Sequence, residues 1–177
     1  MKKKRTVIII LVVLILLCGL VRYQKIEYMA NSIVYTSLIR IGVQLEETTN
    51  ALNANEDDEE YCETIIRWLG NYGFDQVHHN NIVSWECIGY KKYELNYMEG
   101  WFFQLQNVNK PKEAAIAKKQ IASVNQEFAD VSDALLNQNG ATYKNGATYN
   151  FHSDLRHLKE KLQSINALCQ KYMEELN

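Results

Sequence analysis

The stretch VYTSLIRIGVQLEETTNAL, residues 34–52, decides the fold class of this chain of 177 residues. A helix turns once in about 3.6 residues, so side chains that recur at intervals of four and three lie on one side of it. The pattern predicts an amphipathic helix whose apolar stripe packs against other helices as in a coiled coil. The stripe consists of Val34, Leu38, Ile41, Leu45, Thr48 and Leu52.

An acidic run, NANEDDEE at residues 53–60, interrupts this pattern and predicts the start of a second helix. Carboxylates favour the first turn of a helix because they offset the positive end of its macrodipole. We expect Gly70 to end the second helix, and residues 71–81 (NYGFDQVHHNN) to form a loop. The face of this helix consists of Cys62, Ile65, Ile66 and Leu69.

Two further helices are predicted in the C-terminal half of the chain. Pro111 suits the first position of one helix, since its ring presets the backbone angle and a first residue needs no N–H. An apolar stripe follows over residues 114–135, and Gly140 ends the run. Ser153 is a suitable N-cap for the last helix, whose stripe covers residues 155–176. Four or five helices with short connections predict an all-α chain with an antiparallel helical bundle.

At the N-terminus a long apolar run lies between basic groups. Residues 2–5 are KKKR, residues 6–21 are TVIIILVVLILLCGLV, and Arg22 follows. As a helix the run spans about 24 Å, and its flanking arginines extend toward the surfaces of a hydrocarbon core roughly 30 Å thick. We predict a transmembrane signal-anchor helix at residues 6–22, because no small-x-small cleavage pattern follows the run. A cleaved signal peptide is the alternative.

The charge distribution predicts an orientation in the cell membrane. Segments rich in Lys and Arg stay on the cytoplasmic side, which places residues 1–5 in the cytoplasm and residues 23–177 outside it. The lipid bilayer is then a partner through residues 6–22. Residues 23–177 hold 14 basic and 21 acidic groups, a balance of −7, so nucleic acid is not an expected partner.

Residues 82–108 carry more aromatic side chains than one buried stripe uses. The segment is predicted either as a central helix packed on several sides or as two helices divided at Gly100. Tyr and Trp are enriched at protein interfaces, which makes a binding patch the functional alternative to a buried core. The predicted partner or ligand patch consists of Trp85, Tyr90, Tyr93, Tyr97, Trp101 and Phe103.

A tandem hexapeptide separates the last two predicted helices, as NGATYK at residues 139–144 and NGATYN at residues 145–150. Asn-Gly pairs favour tight turns with positive φ, so residues 139–150 are predicted as a loop. This loop is either a duplicated connection or a recognition loop that displays Tyr143 and Tyr149.

Cysteine and histidine residues offer little chemistry. Cys62, Cys87 and Cys169 fall on apolar stripes, either as core thiols or with one disulfide among them, and their pairing stays open. The pairs Asp75…His78 and Asp154…His157 have the i,i+3 spacing of metal ligands in helical bundles. No inward pair of Glu residues completes such a site, so we expect no metal and no cofactor.

The sequence predicts a non-enzymatic protein, since it carries no G-x-S-x-G, S-x-x-K or H-E-x-x-H motif. The leading hypothesis is a membrane-anchored component of the bacterial cell envelope that binds a protein partner or another copy of itself. One alternative is a sensor-like bundle that holds a small apolar ligand among Tyr90, Tyr97 and Trp101. Another is a metal-binding bundle enzyme that uses the Asp-x-x-His pairs.

The layout of one N-terminal anchor and a helical ectodomain is similar to the four-helix sensor ectodomains of bacterial chemoreceptors. Those proteins return through a second membrane helix into signalling domains, and residues 23–177 contain no second apolar run of that length. No motif is specific enough to assign a family, so no residue roles are carried over.

Overall fold

The computed structural model of the chain describes residues 2–88, 95–145 and 155–176, with side chains over 10–26, 29, 33–82, 95–129, 131 and 158–176. The chain is all-α, as predicted, and no strand occurs among these residues. Its helices are α1 (Lys2–Ala54), α2 (Glu59–Ile88), α3 (Asn96–Leu105), α4 (Pro111–Asn145) and α5 (Leu155–Leu176).

The helices form a bundle that closes into a ring, in which neighbours are antiparallel except α3 and α5, which run in the same direction. Helix α1 packs against α2 and α4, α3 packs between α2 and α5, and α4 packs against α5. Helix α2 also touches α4 across the middle of the ring. Each helix therefore buries one side, which is the arrangement that stripes at three-four spacing predict.

The predicted stripes form this core. Every residue of the α1 stripe from Val34 to Leu52 is at most 3% exposed, including the hydroxyl-bearing Thr48. The α4 stripe is buried from Ala114 to Val131, and the α5 stripe is buried from Leu158 to Cys169. The break at residues 55–58 and the start of α4 at Pro111 are also confirmed.

The predicted loop at residues 71–81 is wrong, because α2 runs through it to Ile88. Gly70 does not end the helix but brings α2 close to α3. A Cβ atom on Gly70 would lie 2.6 Å from the backbone nitrogen of Gln106, and one on Gly73 would overlap the ring of Phe102. These glycines are therefore contact points between helices, although in sequence they resemble helix ends.

Helix α4 also continues beyond its predicted end at Gly140, as far as Asn145. The first hexapeptide copy, residues 139–144, is therefore helical, and its Asn-Gly pair makes no turn. Within the aromatic segment 82–108 the division falls before α3 rather than at Gly100, which lies inside that helix. The contacts of Gly100 are again close, since a Cβ there would meet Met173 at 2.8 Å.

Two hydrogen bonds fix the relative heights of the long helices. Ser37 Oγ donates to the carbonyl oxygen of Gln76 at 3.3 Å, and Lys118 Nζ donates to that of Leu52 at 3.2 Å. Helices α2 and α4 run antiparallel to α1, and every helix rises by the same distance per residue. Counting residues from the Ser37–Gln76 pair along α2, and from the Leu52–Lys118 pair along α4, places the C-terminal ends of α2 and α4 at about the level of Lys25. About 23 residues of α1, roughly 35 Å of helix, extend beyond that level.

The extension of α1 is apolar and makes no burying contact over its described side chains. From Ile10 to Val21 its large apolar residues are 48–66% exposed, whereas Val34 and Leu38 further along the helix are completely buried. Among the residues whose side chains are described, which begin at Ile10, no helix has a stretch long and apolar enough to cross a membrane. The transmembrane anchor at residues 6–22 therefore stays a prediction.

Candidate functional site

Helix α3 buries one member of the predicted aromatic patch, Trp101, in the core of the bundle. Trp101 is completely buried, and its indole Nε1 donates to Gln120 Oε1 on α4 at 3.0 Å. The Gln120 amide in turn donates to the carbonyl oxygen of Tyr172 at 3.3 Å and to Glu175 Oε2 at 3.2 Å on α5. Trp101 is therefore part of a hydrogen-bonded chain that links three helices, and at this residue the buried-core alternative is correct and the surface patch is not.

The position of α3 depends on side chains from its neighbours. Its own N-cap residue, Leu95, supplies no side-chain hydrogen bond. Instead the backbone N–H groups of Tyr97 and Met98 each donate to Asn166 Oδ1 on α5 at 3.0 Å. The N–H of Leu95 donates to Asn81 Oδ1 on α2, also at 3.0 Å. The first turn of α3 is thus capped from both sides by tertiary contacts.

Of the other members of the predicted patch, Tyr97 and Phe103 have described side chains, and both are exposed on α3. Tyr97 is 43% exposed, and Phe103 is 52% exposed. The Phe103 ring lies 5.9 Å from the ring of Phe74, which stacks on His78 at 5.5 Å. The side chain of Trp85 lies outside the described residues, as do Tyr90 and Tyr93.

The predicted recognition loop is wrong over residues 139–145, which continue α4 and include Tyr143. Tyr149 lies outside the described residues. Of the four histidines, His78 and His79 are exposed on α2, where His78 Nδ1 lies 2.7 Å from Glu99 Oε1. No group of three or more potential metal ligands occurs among the described side chains, and the pair Asp154…His157 lies outside them.

A surface that the sequence reasoning missed runs along the outside of α2. Its residues are spaced alternately by four and three, beside the buried stripe of the same helix. Tyr61 is 38% exposed and Trp68 is 48% exposed, and the Trp68 ring stacks on Tyr72 at 5.6 Å with 17° between the planes. The α2 seam consists of Tyr61, Ile65, Trp68, Tyr72, Asp75, His79 and Ile82.

Helix α1 carries a matching exposed seam. It starts at the base of the bundle, where Met29 is 55% exposed and Ile33 is 40% exposed, and it ends at Glu47. Beyond Ile33 its members are more polar, with Val43 as the remaining large apolar residue. The α1 seam consists of Ile26, Met29, Ile33, Thr36, Arg40, Val43 and Glu47.

The two seams lie on the same side of the bundle. Ser37 faces Gln76, with its Oγ 3.2 Å from Gln76 Oε1. One helical turn on either side of Ser37 come Ile33 and Arg40 of the α1 seam, and residues one turn apart on a helix are neighbours. Residues 72 and 79 flank Gln76 in the same way. We call the combined surface of the α1 seam and the α2 seam the α1–α2 outer face.

The α1 end, the α2 start and the α4 start surround a cleft of about 580 Å³. Lys118 Nζ donates to Glu56 Oε1 at 2.7 Å there, and this bond holds the pKa of the Glu56 carboxyl below its ordinary value. The Cys62 thiol donates to the carbonyl oxygen of Asn55 at 3.3 Å. Burial, aided by nearby Asp58, raises the pKa of Cys62, so this thiol stays protonated and is a weak nucleophile.

Burial also raises the pKa of the Cys169 thiol in the core. Cys62 and Cys169 are both free thiols, as the core-thiol alternative predicts, and the side chain of Cys87 lies outside the described residues. A second cleft, of about 470 Å³, lies between the ends of α3 and α5. Tyr97 and Trp101 line neither cleft, and the small-ligand alternative stays a prediction.

Comparison with protein-family models, with curated proteins and with solved structures finds no match to this chain.

Proposed function

We propose that the chain is a single-pass membrane protein of the bacterial cell envelope, with no enzymatic activity, whose bundle makes a protein–protein contact through the α1–α2 outer face. Residues 6–22 hold the chain in the bilayer, with residues 1–5 in the cytoplasm and residues 23–177 outside. The proposal assigns no reaction, because the sequence carries none of the common nucleophile or metalloprotease motifs.

The observation that carries the proposal is the projection of α1 beyond the bundle. Helices α2 and α4 return to the level of Lys25, and the large apolar side chains between Ile10 and Val21 are left 48–66% exposed. Burying one such side chain is worth about 1.5–3 kcal/mol, so a bare rod of this kind is costly in water. A lipid bilayer removes that cost, and a helix satisfies its own backbone hydrogen bonds there.

The charges at both ends of the rod support the same arrangement. Residues 2–5 are all basic, and Arg22 with Lys25 follows the apolar run on the side of the bundle. Lys and Arg side chains place their stems along apolar surface and their charged groups at the membrane surface. The four charges of residues 2–5 favour the cytoplasmic side.

The α1–α2 outer face supports the protein-binding part of the proposal. Tyr61 and Trp68 expose aromatic area, and Trp and Tyr dominate the binding energy of many interfaces. On an isolated bundle this surface remains in contact with water. The face lies on α1, which continues from the predicted anchor, and on α2, which packs beside it. It therefore runs along the side of the bundle.

Membrane anchoring is tested by alkaline carbonate extraction of membranes that contain the full chain. The natural chain should stay in the pellet, whereas Leu14→Arg with Leu17→Arg should move at least tenfold more protein to the supernatant, because charge inside the bilayer is costly. The matched control is Phe103→Arg with Ile116→Arg, which places the same two charges at exposed apolar residues of α3 and α4 and should stay in the pellet. Complete extraction of the natural chain would overturn the anchor.

Orientation has its own test on intact spheroplasts. Added protease should digest residues 23–177 from outside, and protection of those residues until lysis would overturn the orientation. The exposed Cys18 thiol lies in the rod, so a membrane-impermeant maleimide should label it only after detergent is added.

The binding surface is tested by crosslinking in native membranes. Tyr61→Ala with Trp68→Ala should lower the recovery of crosslinked partner at least fivefold while the melting temperature changes little, because both side chains are exposed. Tyr97→Ala, an exposed aromatic residue of α3 outside the face, is the control and should leave recovery unchanged. The opposite pattern would move the binding surface to α3.

A further inference from the structure

We infer that the partner at the α1–α2 outer face is a second copy of this chain, related by a two-fold axis perpendicular to the membrane. This inference rests on the proposed membrane anchor, which holds two copies parallel and at the same height. A two-fold axis in front of the α1–α2 pair then places α1 of one copy against α2 of the other. The four helices would form one contact along the sides of both bundles.

Charge complementarity selects a second copy as the occupant. The α1 seam carries Arg40 and the α2 seam carries Asp75, and both side chains are exposed. The Ser37–Gln76 contact fixes their heights, and it places Arg40 about one turn or less from the level of Asp75. In the two-fold arrangement Arg40 of each copy therefore faces Asp75 of the other, so the ion pair forms twice. Neither residue has an ion pair among the described side chains of its own chain.

The apolar residues of the two seams match in height as well. Ile33 lies about level with Ile82. In the two-fold arrangement Ile33 of each copy would therefore meet Ile82 of the other near the base of the bundle. Higher up, Trp68 lies about level with residues 43–47 of the α1 seam. Apolar groups therefore surround the paired charges above and below, which is the composition expected of an interface between identical chains.

The size of the face is sufficient for a specific contact. The α1 seam spans about 30 Å, and two neighbouring helices are about 20 Å wide, which gives roughly 600 Å² in projection. A stable interface buries roughly 800 Å² of accessible surface on each partner, and accessible surface exceeds its projection because side chains protrude.

The test uses two differently tagged full-length copies expressed together in membranes, with Cys18→Ala and Cys87→Ala in both. One copy carries Trp68→Cys and keeps Tyr61, and the other carries Glu47→Cys on the α1 seam and keeps its own Trp68, so one of the two Trp68 contacts remains. Oxidation should join them into a covalent heterodimer. The control replaces Glu47→Cys by Glu46→Cys, an exposed neighbour of the same type that points about 100° away, and should give at least tenfold less heterodimer.

Charge reversal makes the test independent of the apolar contacts. Arg40→Asp in both copies should lower the yield of the disulfide between Glu47→Cys and Trp68→Cys about tenfold. The reason is that the new carboxylate at position 40 of each copy then faces the carboxylate of Asp75 in the other. Adding Asp75→Arg should restore it to within twofold. The inference is overturned if Glu46→Cys and Glu47→Cys crosslink equally, if neither crosslinks in carbonate-resistant membranes, or if Glu47→Cys captures a different protein instead. Loss of the chain from the carbonate-extracted membrane pellet would contradict the proposed anchor, and this measurement is independent of the crosslink.

Discussion

Gln120 and Asn80 are both buried carboxamides, yet their surroundings are opposite. Gln120 is 2% exposed, and its oxygen and nitrogen are both hydrogen-bonded, to Trp101 on one side and to α5 on the other. Asn80 is completely buried on α2, and neither its Oδ1 nor its Nδ2 has a hydrogen-bond partner among the residues that the structure describes. An unpaired buried polar group costs about 1–3 kcal/mol, so the same functional group stabilises one part of the bundle and destabilises another.

The difference between these two carboxamides indicates which contacts determine the arrangement of the helices. Around Gln120 one polar network joins α3, α4 and α5, so these helices have one arrangement that satisfies every partner. The Asn80 amide joins no described group, so it contributes no comparable constraint. Specificity of the bundle is therefore concentrated at the α3 side of the ring.

Trp101→Ala should have the largest effect, because it removes the most deeply buried aromatic residue of that network. We expect a loss of about 3–5 kcal/mol in the free energy of unfolding, from the lost burial and the cavity that remains. Urea denaturation of the detergent-solubilised chain measures it. Phe103→Ala, two residues further along α3 and 52% exposed, is the control and should cost about 1 kcal/mol or less. Similar losses for both would mean that Trp101 is not a core residue.

Gln120→Met tests the satisfied amide with little change in shape. The variant leaves the indole N–H of Trp101 buried without an acceptor, so we expect a loss of about 1–3 kcal/mol in the free energy of unfolding. In a double-mutant cycle with Trp101→Phe the two losses should not add, because both changes remove the same hydrogen bond. Additive losses would show that the bond contributes little.

Asn80→Leu tests the unpaired amide and should change stability in the opposite direction. Leucine has the branching of asparagine without its polar atoms, so the variant should gain about 1 kcal/mol or more in the free energy of unfolding. The same urea titration gives the value. A loss instead would show that the Asn80 amide is hydrogen-bonded in solution through a buried water molecule.

The smallest expected effect is the pH dependence of the Glu56–Lys118 pair at the open end of the bundle. The pKa of Glu56 is lowered from its ordinary 4.5, so the stabilisation is fully present above pH 4.5 and is lost as the pH falls through the lowered pKa. The melting temperature of the natural chain should therefore exceed that of Lys118→Met more at pH 7 than at pH 3. A difference that widens on acidification would contradict the lowered pKa.

The sequence predicts most of the core because its stripes are long. The α1, α4 and α5 stripes each repeat over many turns, and no competing signal interrupts them. Helix α2 was cut short in the prediction because Gly70 and Gly73 resemble breakers, whereas packing against Phe102 requires a residue without a side chain there. Local propensity is weak compared with such tertiary contacts.

The same error concealed the α1–α2 outer face. The α2 seam continues from Tyr72 to Ile82 through the segment predicted as a loop. A prediction that ends the helix at Gly70 therefore does not recognise the regular spacing of the seam residues beyond that point. The prediction instead used the richness of residues 82–108 in aromatic side chains, which does not distinguish a buried Trp101 from an exposed Phe103. Composition identifies aromatic residues, but only the direction of each side chain decides whether it packs or binds.

The borrowed capping of α3 has a consequence for the order of folding. A helix of ten residues is marginal in isolation, and the groups that cap its first turn belong to Asn81 on α2 and Asn166 on α5. Those two residues are far apart in the chain, so α3 becomes stable only after the rest of the ring has assembled around it. We therefore expect its docking to be the closing step of folding, and its release to be the first local opening of the native bundle, which native-state hydrogen exchange would detect as the lowest protection among the helices of the ring.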